Sequence, residues 1–420
     1  MTENSGSILV VGGGISGLTT ALEAAEVGYE VFLVEKEPSL GGRVSQLNQY
    51  FPKLCPPTCG LEINYRRIKD NPGLRVLTLA EVEEVHGTPG NYDVTIRMNP
   101  RYVNENCTCC GECAEACQTE ISNEYNFGID KRKGAYLPHE MAFPARYVIS
   151  PQILGTEDAK RCEKACKYDA VDFDMEAKSI NLKVGAVVWA TGWVPYDAGK
   201  IDNLGFGRYK NIITNMMMER FAAPSGPTSG KILRPSDDKA PESVAFVQCA
   251  GSRDENHLPY CSYICCMASL KQATYVRERY PDAKIYIFYI DLRAPGQRYE
   301  KFYQKIKEDE NIFLIKGKVA EVSENSDNKN ITVVAENAVT GEKIRQEVEL
   351  AVLATGMQPT AAVKKLPAGD LNYSADGFII NDFEKGGMFA AGCANKPADV
   401  VSSNQNATGM ALKAIQELRK

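Results

Sequence analysis

Fourteen cysteines in a chain of 420 residues fall into spaced groups. One group, Cys107-x2-Cys110-x2-Cys113-x3-Cys117, has the spacing that wraps a 4Fe-4S cube, a centre that passes one electron at a time. Another, Cys162-x3-Cys166 followed by Asp169-Ala-Val-Asp172, reads as the end of a second such run that has lost its first two cysteines. Two-cluster ferredoxins exchange ligands, so the first three cysteines of one run combine with the last of the other. Cys107, Cys110, Cys113 and Cys166 then make one set, and Cys117 and Cys162 are two ligands short. Cys55 and Cys59 could complete them. A single cube on Cys107, Cys110, Cys113 and Cys117 is the simpler alternative. Further along, Cys249, Cys261, Cys265 and Cys266 form a C-x11-C-x3-C-C set, again with the four thiolates that a cube needs. Cys109 and Cys393 remain as ordinary thiols.

The elements that must position these thiols begin with a nucleotide fold. Residues 8–12 are an apolar run of strand length, Gly12-Gly-Gly-Ile-Ser-Gly17 gives G-x-G-x-x-G, and Leu18 to Val27 continue as helix. A second strand, Tyr29 to Val34, ends at Glu35, where a carboxylate can accept hydrogen bonds from a ribose. Strand, turn, helix, strand and acid together indicate a bound dinucleotide. A second strand of this kind, Ser243 to Gln248, runs instead into Cys249-Ala-Gly-Ser252. With one glycine left, the backbone cannot closely approach a pyrophosphate, which argues against NAD(P)H there.

Gly41-Gly-Arg43, two apolar strands ending in Ala-Thr-Gly at Gly192 and Gly356, and Gly387-Met-Phe-Ala-Ala-Gly392 resemble the two-dinucleotide-domain flavoproteins of the glutathione and thioredoxin reductase type. That resemblance implies FAD extended across the first domain, with Gly12, Gly14, Ser16, Gly17, Glu35, Lys36, Gly42, Arg43, Thr191, Gly192, Gly356 and Gly392 as its candidate contacts. Where those flavoproteins carry Asp after the last glycine, this chain has Cys393. In that setting the Cys55–Cys59 pair could also be a flavin-facing dithiol or a structural turn.

Cys249-Ala-Gly-Ser-Arg-Asp254, Pro259-Tyr-Cys-Ser262 and Cys265-Cys-Met267 resemble the A-type polypeptide of heterodisulfide reductase, a family in which this set holds a noncanonical 4Fe-4S cluster. With Pro52 to Glu62, and without further ferredoxin modules, the closer likeness is to the A-type polypeptides of quinone-interacting membrane-bound oxidoreductase complexes of sulfate reducers. Implied partners are the B and C subunits of such a complex and adenylylsulfate reductase, and the implied flavin chemistry splits or merges electron pairs. The resulting expectation is an FAD and iron-sulfur oxidoreductase subunit with two or three clusters. An NAD(P)H-dependent flavoprotein reductase and an A-type polypeptide of heterodisulfide reductase are the alternatives.

The expected fold is α/β, with two dinucleotide-binding-type domains and an inserted ferredoxin-like module. Asn91 to Arg97 and Lys178 to Lys183 read as neighbouring strands flanking that insertion. The expected boundaries are 1–100, 178–242 and 346–420 for the FAD domain, 101–177 for the insertion, and 243–345 for the degenerate second domain. Aromatic residues in the long 118–161 connection, Tyr125, Phe127, Tyr136, Phe143 and Tyr147, suggest an interface with a partner polypeptide. His86, His139 and His257 lack metal-ligand spacing and read as solvated. A net charge of −6 with interspersed signs excludes a nucleic-acid surface. No apolar run is long enough to span a bilayer and there is no leader-like N-terminus. The chain is expected in the cytoplasm, reaching the inner membrane face only through partner subunits.

Overall fold

The computed structural model describes residues 5–51 and 53–420. Strand Ser7–Val11 is the middle of a five-stranded parallel sheet, flanked by Ala186–Trp189 and Met388–Ala390 on one side and by Glu30–Glu35 and Leu74–Thr78 on the other. Both faces of such a sheet are covered, so its strands are continuous apolar runs. Helices Ile15–Glu26 and Val400–Leu418 pack over one face, with Leu18, Leu22, Ala407 and Ala414 against Ile8, Val10 and Val188. On the other face Leu9, Val187 and Trp189 meet Val85, Val94 and Ile96 of an antiparallel meander formed by Ala80–Thr88, Asn91–Met98 and Lys178–Val184. Lys178 is directly opposite Met98 in this ladder, so the chain between them leaves and re-enters the flavin-type domain at one point.

A second five-stranded parallel sheet runs in the order Ile212–Thr214, Leu350–Thr355, Ser243–Ala250, Lys284–Tyr289, Ile312–Lys316. The molecule is therefore α/β with two Rossmann-like units. The second unit is larger than expected, because Ile212–Thr214 and Leu350–Thr355 fall within the FAD domain by sequence position alone. Leu350 through Ala354 are wholly buried, and Leu350–Thr355 runs between Ser243–Ala250 and Ile212–Thr214, which explains why both of these outlying strands belong to that sheet. No helix among the described residues is long and apolar enough to cross a membrane.

The insertion has a small core of its own, in which Val103, Ala135, Ile149, Ile153 and Ala170 enclose Cys113, Cys117 and Cys162. Its long connection is fastened inward. Phe143 stacks on Tyr65 at 5.1 Å while its carbonyl accepts from the Leu40 N–H at 2.9 Å. Tyr125 stacks on His139 at 5.1 Å and donates to the Ser45 carbonyl at 2.6 Å. Arg132 sits 3.6 Å from the Tyr136 ring centroid, and Arg43 is 5.9 Å from that of Phe127. Through these contacts Tyr125, Phe127 and Phe143 tie the insertion to its own chain, while all five aromatic side chains of the connection stay partly exposed. His139 is not a solvated side chain, since burial lowers its pKa to about 4 and its Nε2 is 3.2 Å from the Ser39 hydroxyl.

Two adjacent buried residues of helix Asn215–Ala222 join all three parts. Glu219 and Lys271 form an ion pair at 2.9 Å with side chains 2% and 4% exposed. The same carboxylate accepts from the Gln272 amide at 2.6 Å, the Tyr275 hydroxyl at 3.2 Å and the Asn48 N–H at 3.0 Å, while Lys271 donates to the Gln49 carbonyl. Arg220 donates to Asn126 of the insertion at 2.7 Å and to the Gln46 carbonyl at 3.3 Å. Residues 46–49 of the first unit are thus clamped onto the second. Breaking one side of a buried pair leaves an uncompensated charge and typically costs about 3–5 kcal/mol. Lys271→Met should lower unfolding free energy by about that amount in urea denaturation, and adding Glu219→Gln should recover a large part of it.

Candidate functional site

The glycine-rich turn is shaped by steric exclusion. A Cβ at Gly17 would overlap the Gly12 carbonyl oxygen, so no larger residue fits at this strand-to-helix corner. Gly42 has φ +54, and a Cβ there would sit 2.7 Å from the Gly14 Cα, so Gly14 and Gly42 let two backbone segments pass against each other. Ser16 faces Gly392, whose N–H donates to Asn406 at 2.7 Å. Gly12, Gly14, Ser16, Gly17, Gly42, Arg43, Thr191, Gly192 and Gly392 therefore all lie at or beside the C-terminal ends of the first sheet, the place where α/β sheets bind dinucleotides. The Thr191 hydroxyl is buried without a partner, and the glycines leave backbone accessible, both of which fit an extended dinucleotide.

Glu35 is buried at the end of its strand and accepts from the Gly13 N–H at 2.6 Å and the Glu37 N–H at 2.8 Å. Burial pushes its pKa up to about 6 despite these hydrogen bonds. It braces the glycine turn, while Lys36 is solvent-exposed and 3.8 Å from Glu37. Gly356 departs from its expected place. It follows a strand of the second sheet and abuts Ser252 and Ser262, beside the cysteine loop instead of the first nucleotide site. Thr360 is a contributor that sequence reasoning missed, donating its hydroxyl to the Thr191 carbonyl at 2.9 Å and its N–H to the Gly192 carbonyl at 3.2 Å. No motif marks it.

Cys107, Cys110, Cys113 and Cys166 line one cavity of about 310 Å³, including its open mouth, together with Tyr147 and Tyr168. This is the ligand-exchanged set, and Cys117 is not among its lining residues. Cys113 lies in helix Glu112–Ala116 and Cys166 ends helix Glu157–Ala165, so the packing of these two short helices brings the two runs together. Burial, then the neighbouring Cys107, pushes the Cys113 thiol up to about 12. Bound metal would have to displace such protons, which thiolate coordination does readily.

Cys117 and Cys162 are neighbours in the insertion core, where Cys117 donates to the Thr119 carbonyl at 3.6 Å and Cys162 to the Cys113 carbonyl at 3.3 Å. Asp158 holds the turn after Cys117 by accepting from the N–H groups of Gln118 and Thr119 at 2.9 and 2.8 Å. Cys55 and Cys59 lie beside Tyr50, whose N–H donates to the Cys55 carbonyl at 3.2 Å. Among the described residues no hydrogen bond joins the two pairs directly. Lys271, Glu219 and the packing of Phe51 on Tyr299 and Phe302 hold the 48–51 segment that precedes Cys55 against the second unit.

Cys249, Cys261, Cys265 and Cys266 are gathered at one loop, which folds back on itself through a Ser252–Leu258 bridge and an Arg253 N–H to Tyr260 carbonyl bond at 3.0 Å, and the charges of Cys249, Cys261 and Cys266 all raise the Cys265 pKa. Cys249 lies at the end of strand Ser243–Ala250, and Cys265 and Cys266 open helix Cys265–Arg279, whose N-terminal dipole favours anionic sulfur. Burial is the largest influence and lifts Cys249 to about 11 and Cys265 well above the usual range. Three non-glycine residues of this loop, Cys249, Arg253 and Tyr263, have left-handed backbones, a strain that clusters at functional sites. Cys393 is buried near the first site, its Sγ 3.4 Å from the Ala398 carbonyl and 3.8 Å from the Ser403 hydroxyl.

Residues 10–64 match the model of an NAD(P)-binding Rossmann-like domain family. In overall fold the chain is similar to thioredoxin reductase of T. acidophilum (TM-score 0.54, 14% identity, 98% of each chain) and of Lactococcus lactis (TM-score 0.53, 13% identity, 98% and 99%). In sequence it is 39% identical over 98% of its length to iron-sulfur A-type polypeptides of CoB–CoM heterodisulfide reductase from Methanopyrus kandleri and from Methanocaldococcus jannaschii. It is 37% identical over 97% of its length to the A-type polypeptide of the H(2):CoB-CoM heterodisulfide,ferredoxin reductase of Methanothermobacter thermautotrophicus. The chain spans 64%, 64% and 63% of the length of these three relatives, just under two thirds. Along nearly all of its residues the chain is thus similar in sequence to A-type polypeptides of heterodisulfide reductases, and in fold to thioredoxin reductases.

Proposed function

We propose that this chain is an FAD- and 4Fe-4S-carrying electron-transfer subunit of a larger oxidoreductase, with clusters on Cys107, Cys110, Cys113 and Cys166 and on Cys249, Cys261, Cys265 and Cys266. The observation that carries this reading is the convergence of four cysteines where a second pyrophosphate loop would lie, on a fold whose first loop keeps its glycines. FAD, when bound, converts between paired and single-electron transfer. The protein's own part is to position and shield. Gly12, Gly14 and Gly17 admit the pyrophosphate, Glu35 stiffens that turn, and Thr191 offers a buried hydroxyl that has no protein partner. Cys110 is exposed while Cys113 is buried, so one edge of the insertion's cysteine set faces solvent and a docking partner.

Partners follow from the family likeness: the B and C subunits of a quinone-interacting membrane-bound complex, with adenylylsulfate reductase as redox partner in sulfate respiration. In that setting the chain sits at the inner face of the cytoplasmic membrane through those subunits. The substrates in the relatives' names belong to those longer proteins.

A cube in such a motif needs all four protein ligands. Cys261→Ala or Cys265→Ala should therefore remove about four irons per chain and leave FAD bound; full iron in both variants would reject this ligand set. The pair Cys55→Ser, Cys59→Ser should retain the iron content and the low-temperature spin-resonance spectrum of the reduced protein. Loss of about four irons would instead establish a third cluster completed by Cys117 and Cys162.

A further inference from the structure

We infer that Arg253, clamped by Asp291, sets the reduction potential of the cluster on Cys249, Cys261, Cys265 and Cys266. This rests on the ligand assignment above. Arg253 holds a left-handed backbone (φ 56), a conformation disfavoured for a non-glycine residue, and its N–H is fixed to the Tyr260 carbonyl at 3.0 Å. That geometry turns its side chain to the cysteine set. The guanidinium donates to Asp291 Oδ2 at 2.9 Å, and its charge acts on Cys249, Cys261 and Cys266. Asp291 belongs to the loop after strand Lys284–Tyr289, and its carbonyl lies 3.5 Å from the Cys266 sulfur. The clamp is thus built from two segments that both border the site.

Other charges nearby are engaged or act more locally. Asp254 is paired with Lys318 at 2.8 Å and accepts from the Asn256 N–H at 3.1 Å. Arg293 acts on Cys266, so Arg253 is the cation that reaches across several of the thiols. An added electron makes a thiolate-ligated centre more negative, and a nearby cation stabilises that reduced state more than the oxidised one. Asp291 opposes this by its charge while aiming the guanidinium. Side chains of Arg253 and Asp291 are 26% and 52% exposed, so solvent weakens the carboxylate's effect more than the guanidinium's.

Charge tuning therefore makes a prediction that a scaffolding role does not: the two halves of the clamp shift the potential in opposite directions. The test is an anaerobic redox titration of the purified full chain by low-temperature spin resonance, with iron measured on every variant. Arg253→Gln should disfavour reduction of this cluster by on the order of tenfold, equivalent to about 59 mV for one electron. Asp291→Asn should favour reduction by a smaller factor, and Arg253→Lys should stay close to the unaltered chain. Full iron with an unchanged potential in Arg253→Gln, or a shift of Asp291→Asn in the same direction, overturns the inference. If Arg253→Gln loses the cluster, Asp291→Asn and Arg253→Lys still decide it by the sign and size of their shifts. Retention of full iron in Cys265→Ala would show that the ligand assignment had failed and not the charge effect.

Discussion

Glu219, Lys271 and Arg220 fix the relative position of everything that carries chemistry here. A carboxylate, an ammonium and a guanidinium, all buried, are held by backbone carbonyls and amides of residues 46–49, by Asn126 and by one another. Such charges tolerate burial only when their partners are in place, so the joint has a strong preference for one arrangement. One-electron transfer between separate centres depends steeply on distance, and a hinge between the two sheets would make that distance variable. The buried joint removes the hinge.

The insertion is restrained in a different way. Met98 and Lys178 are paired across one ladder, so its two ends are anchored at a single point of the meander. Stacking of Phe143 on Tyr65, and of Tyr125 on His139, then prevents rotation about that point. Arg101, buried and donating to the Pro38 carbonyl and to Thr78 at 2.8 Å, adds a third attachment close to the glycine-rich site. An otherwise small module with a modest core is thereby held as firmly as the domain that carries it.

What could be read from sequence was what is encoded locally. The glycine turn at 12–17 depends on contacts between near neighbours, and Cys107, Cys110, Cys113 and Cys166 follow from spacing plus the ligand exchange of paired ferredoxin runs. The second unit's limits were less legible, because Leu350–Thr355 is a buried apolar strand like any other and only its long-range pairing with Ser243–Ala250 assigns it. Gly356 was misplaced for the same reason. Cys55 and Cys59 looked available by counting, but the course of the segment just before them is set by Lys271 and Tyr299, far away in the chain. His139 shows the converse: a loop histidine in sequence is half-buried once Tyr125 stacks on it.

On the proposed reading, the replacement of glycines by Cys249-Ala-Gly-Ser252 bars close approach of a nicotinamide dinucleotide, and the flavin exchanges electrons with clusters instead. Anaerobic stopped-flow measurement of flavin bleaching tests this directly, comparing NADH and NADPH with a one-electron viologen donor. Rapid bleaching by the viologen with none by either nucleotide is the predicted result. Bleaching by NADH or NADPH as fast as by the viologen would contradict it.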